Sequence, residues 1–124
     1  MLAAGRVVAF APATDLDEAQ RFYVDVLGLE LVSRDGFGIM LESGAGTIRI
    51  AALREFTPQQ GTTLGWEVED VPTAARWLAG RGVELLKFDG VAQDDLGIWT
   101  PPGGGAVAWF RDPSGNTLSI SGRG

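Results

Sequence analysis

The chemistry open to this sequence is narrow, because it contains neither histidine nor cysteine. Histidine is the commonest metal ligand and the commonest acid–base group near neutral pH, and cysteine supplies thiolate ligands and nucleophiles. What remains is 16 acidic and 10 basic residues, hydroxyl groups, one tyrosine (Tyr23) and one lysine (Lys87). The spacing of these groups points to no nucleophile–base pair.

The formal net charge of −6 bears on the class of partner. A generic nucleic-acid binder carries a basic face, so this role is disfavoured, whereas a cationic or neutral small molecule is easier to accommodate. The first six residues lack the pattern of a signal peptide, and no apolar stretch approaches the length of a membrane span. We expect a cytoplasmic protein with no nucleic-acid and no membrane partner.

Two helices are predicted from their capping residues. Asp15 is a candidate N-cap with Glu18 three residues later, and Gly28 is a natural stop. The second helix is expected to begin at Asp70 and to end at Gly82. Residues 15–23 align with residues 70–78 at a constant offset (70 − 15 = 55), which indicates an internal repeat.

Strands are predicted on both sides of each helix from alternating polar and apolar residues. They cover 6–12, 29–33, 37–42 and 47–51 in the first half, and 63–68, 83–88, a short piece near 98, 106–111 and 117–121 in the second. Tight turns are expected at 43–46 and 112–116. These elements give a single α+β domain, 1–124, with a module at about 6–53, a linker at about 54–61 and a second module at about 62–121.

Four segments of the sequence resemble the vicinal oxygen chelate superfamily, which groups glyoxalase I, bleomycin-resistance proteins and extradiol dioxygenases. They are 15–29, 66–71, 80–83 and 110–116, of which the last, Phe-Arg-Asp-Pro-Ser-Gly-Asn, is the most specific. The resemblance implies two βαβββ modules that form a curled mixed sheet around a cavity, with helices on the other sheet face. It implies no single activity, because one fold hosts many functions.

Members of this family that use a metal place His or Glu ligands on the first and last strand of each module. The corresponding positions here are Val8, Arg49 (with one residue of doubt in the register), Thr63 and Ser119. Valine cannot ligate, arginine carries a permanent positive charge, and neutral hydroxyls are poor ligands. The resemblance therefore predicts no metal and no cofactor at the usual positions. A relocated carboxylate site would need Glu42, Glu67 and Asp95 to converge.

Tryptophans are numerous for this length. Packing explains Trp66 and Trp77, whereas both a pocket and a core position fit Trp99, which precedes the glycine run 103–105, and Trp109. The residues predicted to contact a ligand are Phe10, Arg49, Thr63, Glu67, Trp99, Trp109 and Ser119.

The first hypothesis is metal-free binding or sequestration of a small organic molecule, as the resemblance to bleomycin-resistance proteins implies. Arg49 would pair with an anionic group of the ligand, or Glu67 with a cationic one. One alternative is a lyase, isomerase or dioxygenase-type enzyme with a relocated metal or none, and another is a dimerising accessory domain without a ligand. The resemblance also implies a homodimer.

Overall fold

The four alternating segments of the first half all form strands in a computed structural model, which describes residues 1–44 and 46–124. The strands are β1 (Val8–Ala13), β2 (Glu30–Arg34), β3 (Gly38–Ser43) and β4 (Gly46–Ala52). The predicted turn 43–46 includes Ala45, which lies outside the described residues. The chain divides into two compact units, Met1–Thr57 and Pro58–Gly124.

The first helix, α1 (Leu16–Gln20), begins after Asp15 as predicted. The Asp15 carboxylate oxygen Oδ1 accepts a hydrogen bond from the backbone N–H of Glu18 at 3.0 Å, so it satisfies one of the amides that a helix start leaves unpaired. The helix continues as a wider π-helical segment, Arg21–Val26. Apolar spacing does not distinguish this segment from an α-helix, so the sequence did not predict it.

The first unit folds its strands into a sheet of order β1-β4-β3-β2, with β1 and β4 parallel and the other pairs antiparallel. Alternate side chains of β1, β3 and β4 are buried on the face that α1 contacts. They are Ala11, Ala13, Ile39, Leu41, Ile48 and Ile50. Tyr23, fully buried, completes this core from the π-helical segment. The opposite side is called the helix-free face below.

The second unit contains β5 (Leu64–Asp70), the helix α2 (Val71–Gly80), β6 (Ala106–Arg111) and β7 (Thr117–Arg123). The sheet order is β5-β7-β6, with β5 parallel and β6 antiparallel to β7. Asp70 caps α2 as predicted, because its Oδ1 accepts a hydrogen bond from the backbone N–H of Thr73 at 2.9 Å. Hydrogen bonds from the Thr73 backbone and side chain hold the pKa of Asp70 below its ordinary value.

The strand predicted over 83–88 was wrong, because this segment is irregular and only the N–H of Leu86 reaches a strand, at the carbonyl of Trp109. Gln93 provides the reason. Its Oε1 accepts from the N–H of Phe88 at 2.7 Å, and its Nε2 donates to the carbonyl of Leu86 at 2.9 Å. A side chain thus satisfies backbone groups that a neighbouring strand would otherwise pair. The short piece near 98 is reduced to isolated bridges at Trp99.

The prediction of an α+β fold is confirmed, with one small sheet in each unit. The first unit has the predicted order βαβββ, whereas the irregular segment leaves the second with three strands. Within the described residues, we find no helix with the length and apolar character needed to span a bilayer.

Candidate functional site

The helix-free face of the first unit carries a row of four side chains across the sheet. Phe10 on β1 pairs with Arg49 on β4, Arg49 pairs with Met40 on β3, and Met40 pairs with Ser33 on β2. A cavity of about 400 Å³ lies over this row. We call it the Arg49 cavity; its lining includes Phe10, Ser33, Asp35, Phe37, Met40 and Arg49. Its size falls within the range of small-molecule sites.

Arg49 is the cation of this cavity. Its guanidinium carbon Cζ lies 6.0 Å from the centroid of the Phe10 ring, which is a cation–π contact. Among residues 1–44 and 46–124 no carboxylate forms an ion pair with Arg49. The side chain is exposed, so its five N–H donors are solvated. An anionic ligand group would therefore meet a guanidinium that no carboxylate of these residues already holds.

Two aromatic rings stand exposed around the same cavity. Phe37 is 85% exposed and Phe10 is 57% exposed. Asp35 fixes the turn before β3, because its Oδ1 accepts from the N–H of Phe37 at 2.8 Å and from the N–H of Gly38 at 3.1 Å. The rings therefore belong to a sheet edge and a hydrogen-bonded turn. Exposed apolar rings beside a cation suit a flat apolar anion.

Of the residues predicted to contact a ligand, Phe10 and Arg49 line this cavity, whereas Ser33, Asp35, Phe37 and Met40 line it without having been predicted. The alternation of Met40 with the buried residues of β3 was a signal that could have identified it. The other three depend on the turn between β2 and β3 and on an irregularity in the pairing of β2, where the register shifts between Leu31 and Ser33. Period-two counting does not find such positions.

In the second unit, the structure brings most of the predicted ligand residues to its own helix-free face. Ser119 pairs with Trp109 on one side and with Gly65 on the other, Glu67 pairs with Ser121, and the N–H of Thr63 donates to the carbonyl of Thr117. These residues do not line the cavity of about 440 Å³ in this unit. We call it the Arg111 cavity; its lining is Pro58, Gln59, Gln60, Phe88, Arg111, Gly115 and Thr117.

The two predicted pocket tryptophans pack against each other. The rings of Trp99 and Trp109 are stacked with centroids 6.1 Å apart, and Phe88 meets Trp109 edge-on at 5.5 Å. Both tryptophans are half-buried. The cluster holds the irregular segment against β6, which is a packing role that the sequence left open.

The four positions at which the resemblance predicts metal ligands do not suit a divalent ion. Val8 pairs with Thr47, two residues before Arg49, and Thr63 bonds Thr117, two residues before Ser119. The relative register is thus the same in both units, yet the side chains are an isopropyl group, a guanidinium and two hydroxyls. None is an anionic or imidazole donor.

The carboxylates that could have rebuilt a site lie on separate elements of the fold. Glu42 lies on β3 opposite Glu30, Glu67 is exposed on β5 of the other unit, and Asp95 is exposed in a turn. Across the described ranges, no group of three or more His, Cys, Asp or Glu residues is placed to hold a metal ion. The donor set of the described chain therefore fits no divalent metal.

The most specific sequence motif, in the final turn, has a structural role. Asp112 is 7% exposed and Asn116 is 1% exposed. The Oδ1 of Asp112 accepts from the N–H groups of Ser114 and Asn116 at 3.0 and 2.9 Å, and its Oδ2 accepts from the Asn116 side-chain amide at 2.8 Å. The motif closes the hairpin between β6 and β7, and it contributes Arg111 and Gly115 to the lining of the Arg111 cavity.

Comparison with known proteins places this geometry in a family. The family model described as the Glyoxalase/Bleomycin resistance protein/Dioxygenase superfamily matches residues 5–120. A solved member of that superfamily from Sphaerobacter thermophilus is 21% identical with a TM-score of 0.76, over 99% of this chain and 100% of that chain. Lactoylglutathione lyase from Agrobacterium tumefaciens is 19% identical with a TM-score of 0.73, over 96% of this chain and 93% of that chain.

TioX from Micromonospora is 18% identical with a TM-score of 0.72, over 97% of this chain and 99% of that chain. No curated protein matches the chain. At these identities the similarity to solved structures establishes the fold alone.

Proposed function

Because the chain belongs to the glyoxalase/bleomycin resistance protein/dioxygenase superfamily, we propose that it binds a small, flat, apolar organic anion in the Arg49 cavity without a metal ion. The observation that carries the proposal is a guanidinium that pairs with no carboxylate of the described residues and lies beside two exposed aromatic rings. Binding or sequestration of this kind needs no general acid, no general base and no metal ligand.

The anionic group of the ligand is held by Arg49. A guanidinium matches the two oxygens of a carboxylate with two parallel N–H donors. A hydrogen bond to a charged partner contributes about 1.5 kcal/mol even where water competes, which is about a tenfold gain in affinity. The contact with the Phe10 ring, at 6.0 Å, restrains the guanidinium before the ligand arrives.

The apolar body of the ligand packs on Phe10, Phe37 and Met40. The two rings present flat faces, and methionine adapts to irregular shapes. Covering rings that are 57% and 85% exposed removes apolar area from water, which drives association. The carboxylate of Asp35 also lines the cavity and disfavours an anionic group near the turn, so the ligand charge belongs at the Arg49 end.

An enzymatic function is supported less well. A lyase or dioxygenase with a metal would need donors that Val8, Arg49, Thr63 and Ser119 do not supply. A metal-free enzyme would need Glu42 or Glu67 as an acid–base group, and both are exposed.

We propose in addition a homodimer in the cytoplasm. The edge strand β2 supports the dimer, since all five of its residues are exposed and Leu31 and Val32 are 38% and 47% exposed. An exposed apolar edge is suited to pairing with a second copy.

The test is a titration of 2-naphthoate into the full chain, followed by calorimetry and by the backbone amide signals of Phe37 and Met40. We expect saturable binding that Arg49→Gln weakens about tenfold. Arg49→Lys keeps the charge but loses the bidentate geometry, so its affinity should lie between those of the wild type and Arg49→Gln. Arg21→Gln makes the same charge change at another exposed position of this unit and should bind as the wild type does. Equal affinity of Arg49→Gln and Arg21→Gln would overturn the proposal.

A further inference from the structure

We infer that the second unit holds a separate site, the Arg111 cavity, for a small hydroxylated carboxylate such as a sugar acid. It lies wholly within residues of the second unit, and its lining shares no residue with the Arg49 cavity. Its volume of about 440 Å³ exceeds that of one sugar ring. This lining is richer in hydrogen-bonding side chains, so the two cavities differ in the ligand chemistry that they favour.

The charge in this cavity comes from Arg111. It lies on the helix-free face of β6, where it pairs with Thr117 of β7. Within the described part of the chain, Arg111 forms no ion pair with any carboxylate. In a chain with a net charge of −6, such a guanidinium is a preferred position for an anionic group.

Hydroxyl groups of a ligand would be recognised by the amides of the segment before β5. The Nε2 of Gln59 donates to the carbonyl of Thr62 at 2.8 Å and to that of Gly61 at 3.4 Å. These bonds use the donors of that amide and leave its Oε1 as an acceptor. Gln60 adds a second amide and Thr117 a hydroxyl. Amides beside a guanidinium favour a ligand with several hydroxyls over a purely apolar one.

The walls of the cavity are fixed by packing. Gly115 has φ +90°, and a Cβ built there would lie 3.2 Å from the Cγ of Pro58, so Pro58 lies directly on the hairpin turn. On another wall, Phe88 is fixed by its N–H bond to Gln93 and by its edge-on contact with Trp109. The Phe88 ring, 37% exposed, offers an apolar surface to the C–H face of a sugar ring. A preformed cavity loses less ordering entropy on binding.

The test is a two-dimensional NMR titration of the full chain with D-glucuronate. We expect saturable shifts of the amides of Gln60, Phe88 and Gly115 and of the Arg111 Nε–H, with a Kd of about 1 mM, a value typical of small polar ligands. Neutral D-glucose should bind at least about tenfold more weakly, because it lacks the carboxylate. Arg111→Gln should show the same loss, and Arg111→Lys an intermediate one.

Arg76→Gln is the matched control, since it removes one positive charge from an exposed position of α2 that lines neither cavity. It should bind glucuronate as the wild type does. Wild-type affinity in folded Arg111→Gln, equal binding of glucose, or shifts confined to other residues would each overturn the inference. The amides of Phe37 and Met40 report on the Arg49 cavity in the same spectra, so failure of one site is distinguished from failure of the other.

Discussion

Replacing Asp112 by alanine should destabilise the fold strongly, although this residue lies outside both cavities. The carboxylate accepts three hydrogen bonds at 2.8–3.0 Å, and two of the donors belong to Asn116, which is 1% exposed. A buried donor left without an acceptor costs about 1–3 kcal/mol. The two donors of Asn116 lose their acceptor, and so does the half-buried N–H of Ser114. We therefore expect the free energy of unfolding to fall by about 3 kcal/mol.

The assay is urea unfolding at neutral pH, followed by tryptophan fluorescence. With a urea m-value of about 2 kcal/mol per molar, a loss of about 3 kcal/mol lowers the midpoint by about 1.5 M. Asp35→Ala is the matched control, since the Oδ1 of Asp35 also accepts two backbone N–H bonds, at 2.8 and 3.1 Å, but both bonds are exposed. Water can replace those bonds, so its loss should stay below about 1 kcal/mol. Equal losses in the two variants would refute the argument from burial.

Two further predictions concern pH and metal. The folded pKa of Asp70 lies below its ordinary value of 3.8, so the charged cap stabilises the fold above pH 3.8, and this stabilisation is lost as pH falls through the folded pKa. In urea unfolding, the difference in unfolding free energy between the wild type and Asp70→Asn should therefore become smaller from pH 6 to pH 3. A difference that stays constant would contradict the direction of the pKa shift. Untagged protein expressed with added divalent metals should carry less than about a tenth of an equivalent of metal by elemental mass spectrometry, because the usual ligand positions hold none of the side chains that such sites need. Near-stoichiometric metal would show that the metal site does not lie at those four positions.

The parts of the fold that the sequence predicted are those that local chemistry controls. The caps at Asp15 and Asp70 follow from a side chain and an amide three residues apart, and the strands follow from a period of two. The segment 83–88 has the composition of a strand, but the side chain of Gln93, several residues further on, satisfies its backbone. Whether this backbone pairs with a strand or with the Gln93 side chain depends on where the fold places Gln93, and the local sequence pattern does not contain that information.

The candidate sites were predicted only where they lie on regular strands. Alternation and the repeat assigned Arg49 its position, and Arg49 pairs with Phe10 on the neighbouring strand. Phe10 itself was predicted as a ligand contact without such a signal. Asp35 and Phe37 sit in a turn, and Gln59 and Gln60 precede β5, where no periodicity constrains the side chains. The Arg111 cavity was therefore missed although Arg111 itself lies at the end of a predicted strand.

The internal repeat explains why one chain carries two different cavities. On the helix-free faces, the residue that pairs with Thr47 is Glu42 and the residue that pairs with Thr117 is Arg111. Two residues away along the same strands, Met40 of the first unit corresponds to Trp109 of the second.

Backbone register is thus retained while charge and shape have changed at equivalent positions. The first unit has its guanidinium at Arg49, where the second has Ser119, and the second has its guanidinium at Arg111, where the first has Glu42. Neither guanidinium forms an ion pair with a carboxylate of the described residues, which supports the proposal that the two faces recognise different anions. The two charge-matched titrations, on Arg49 and on Arg111, test this argument one unit at a time.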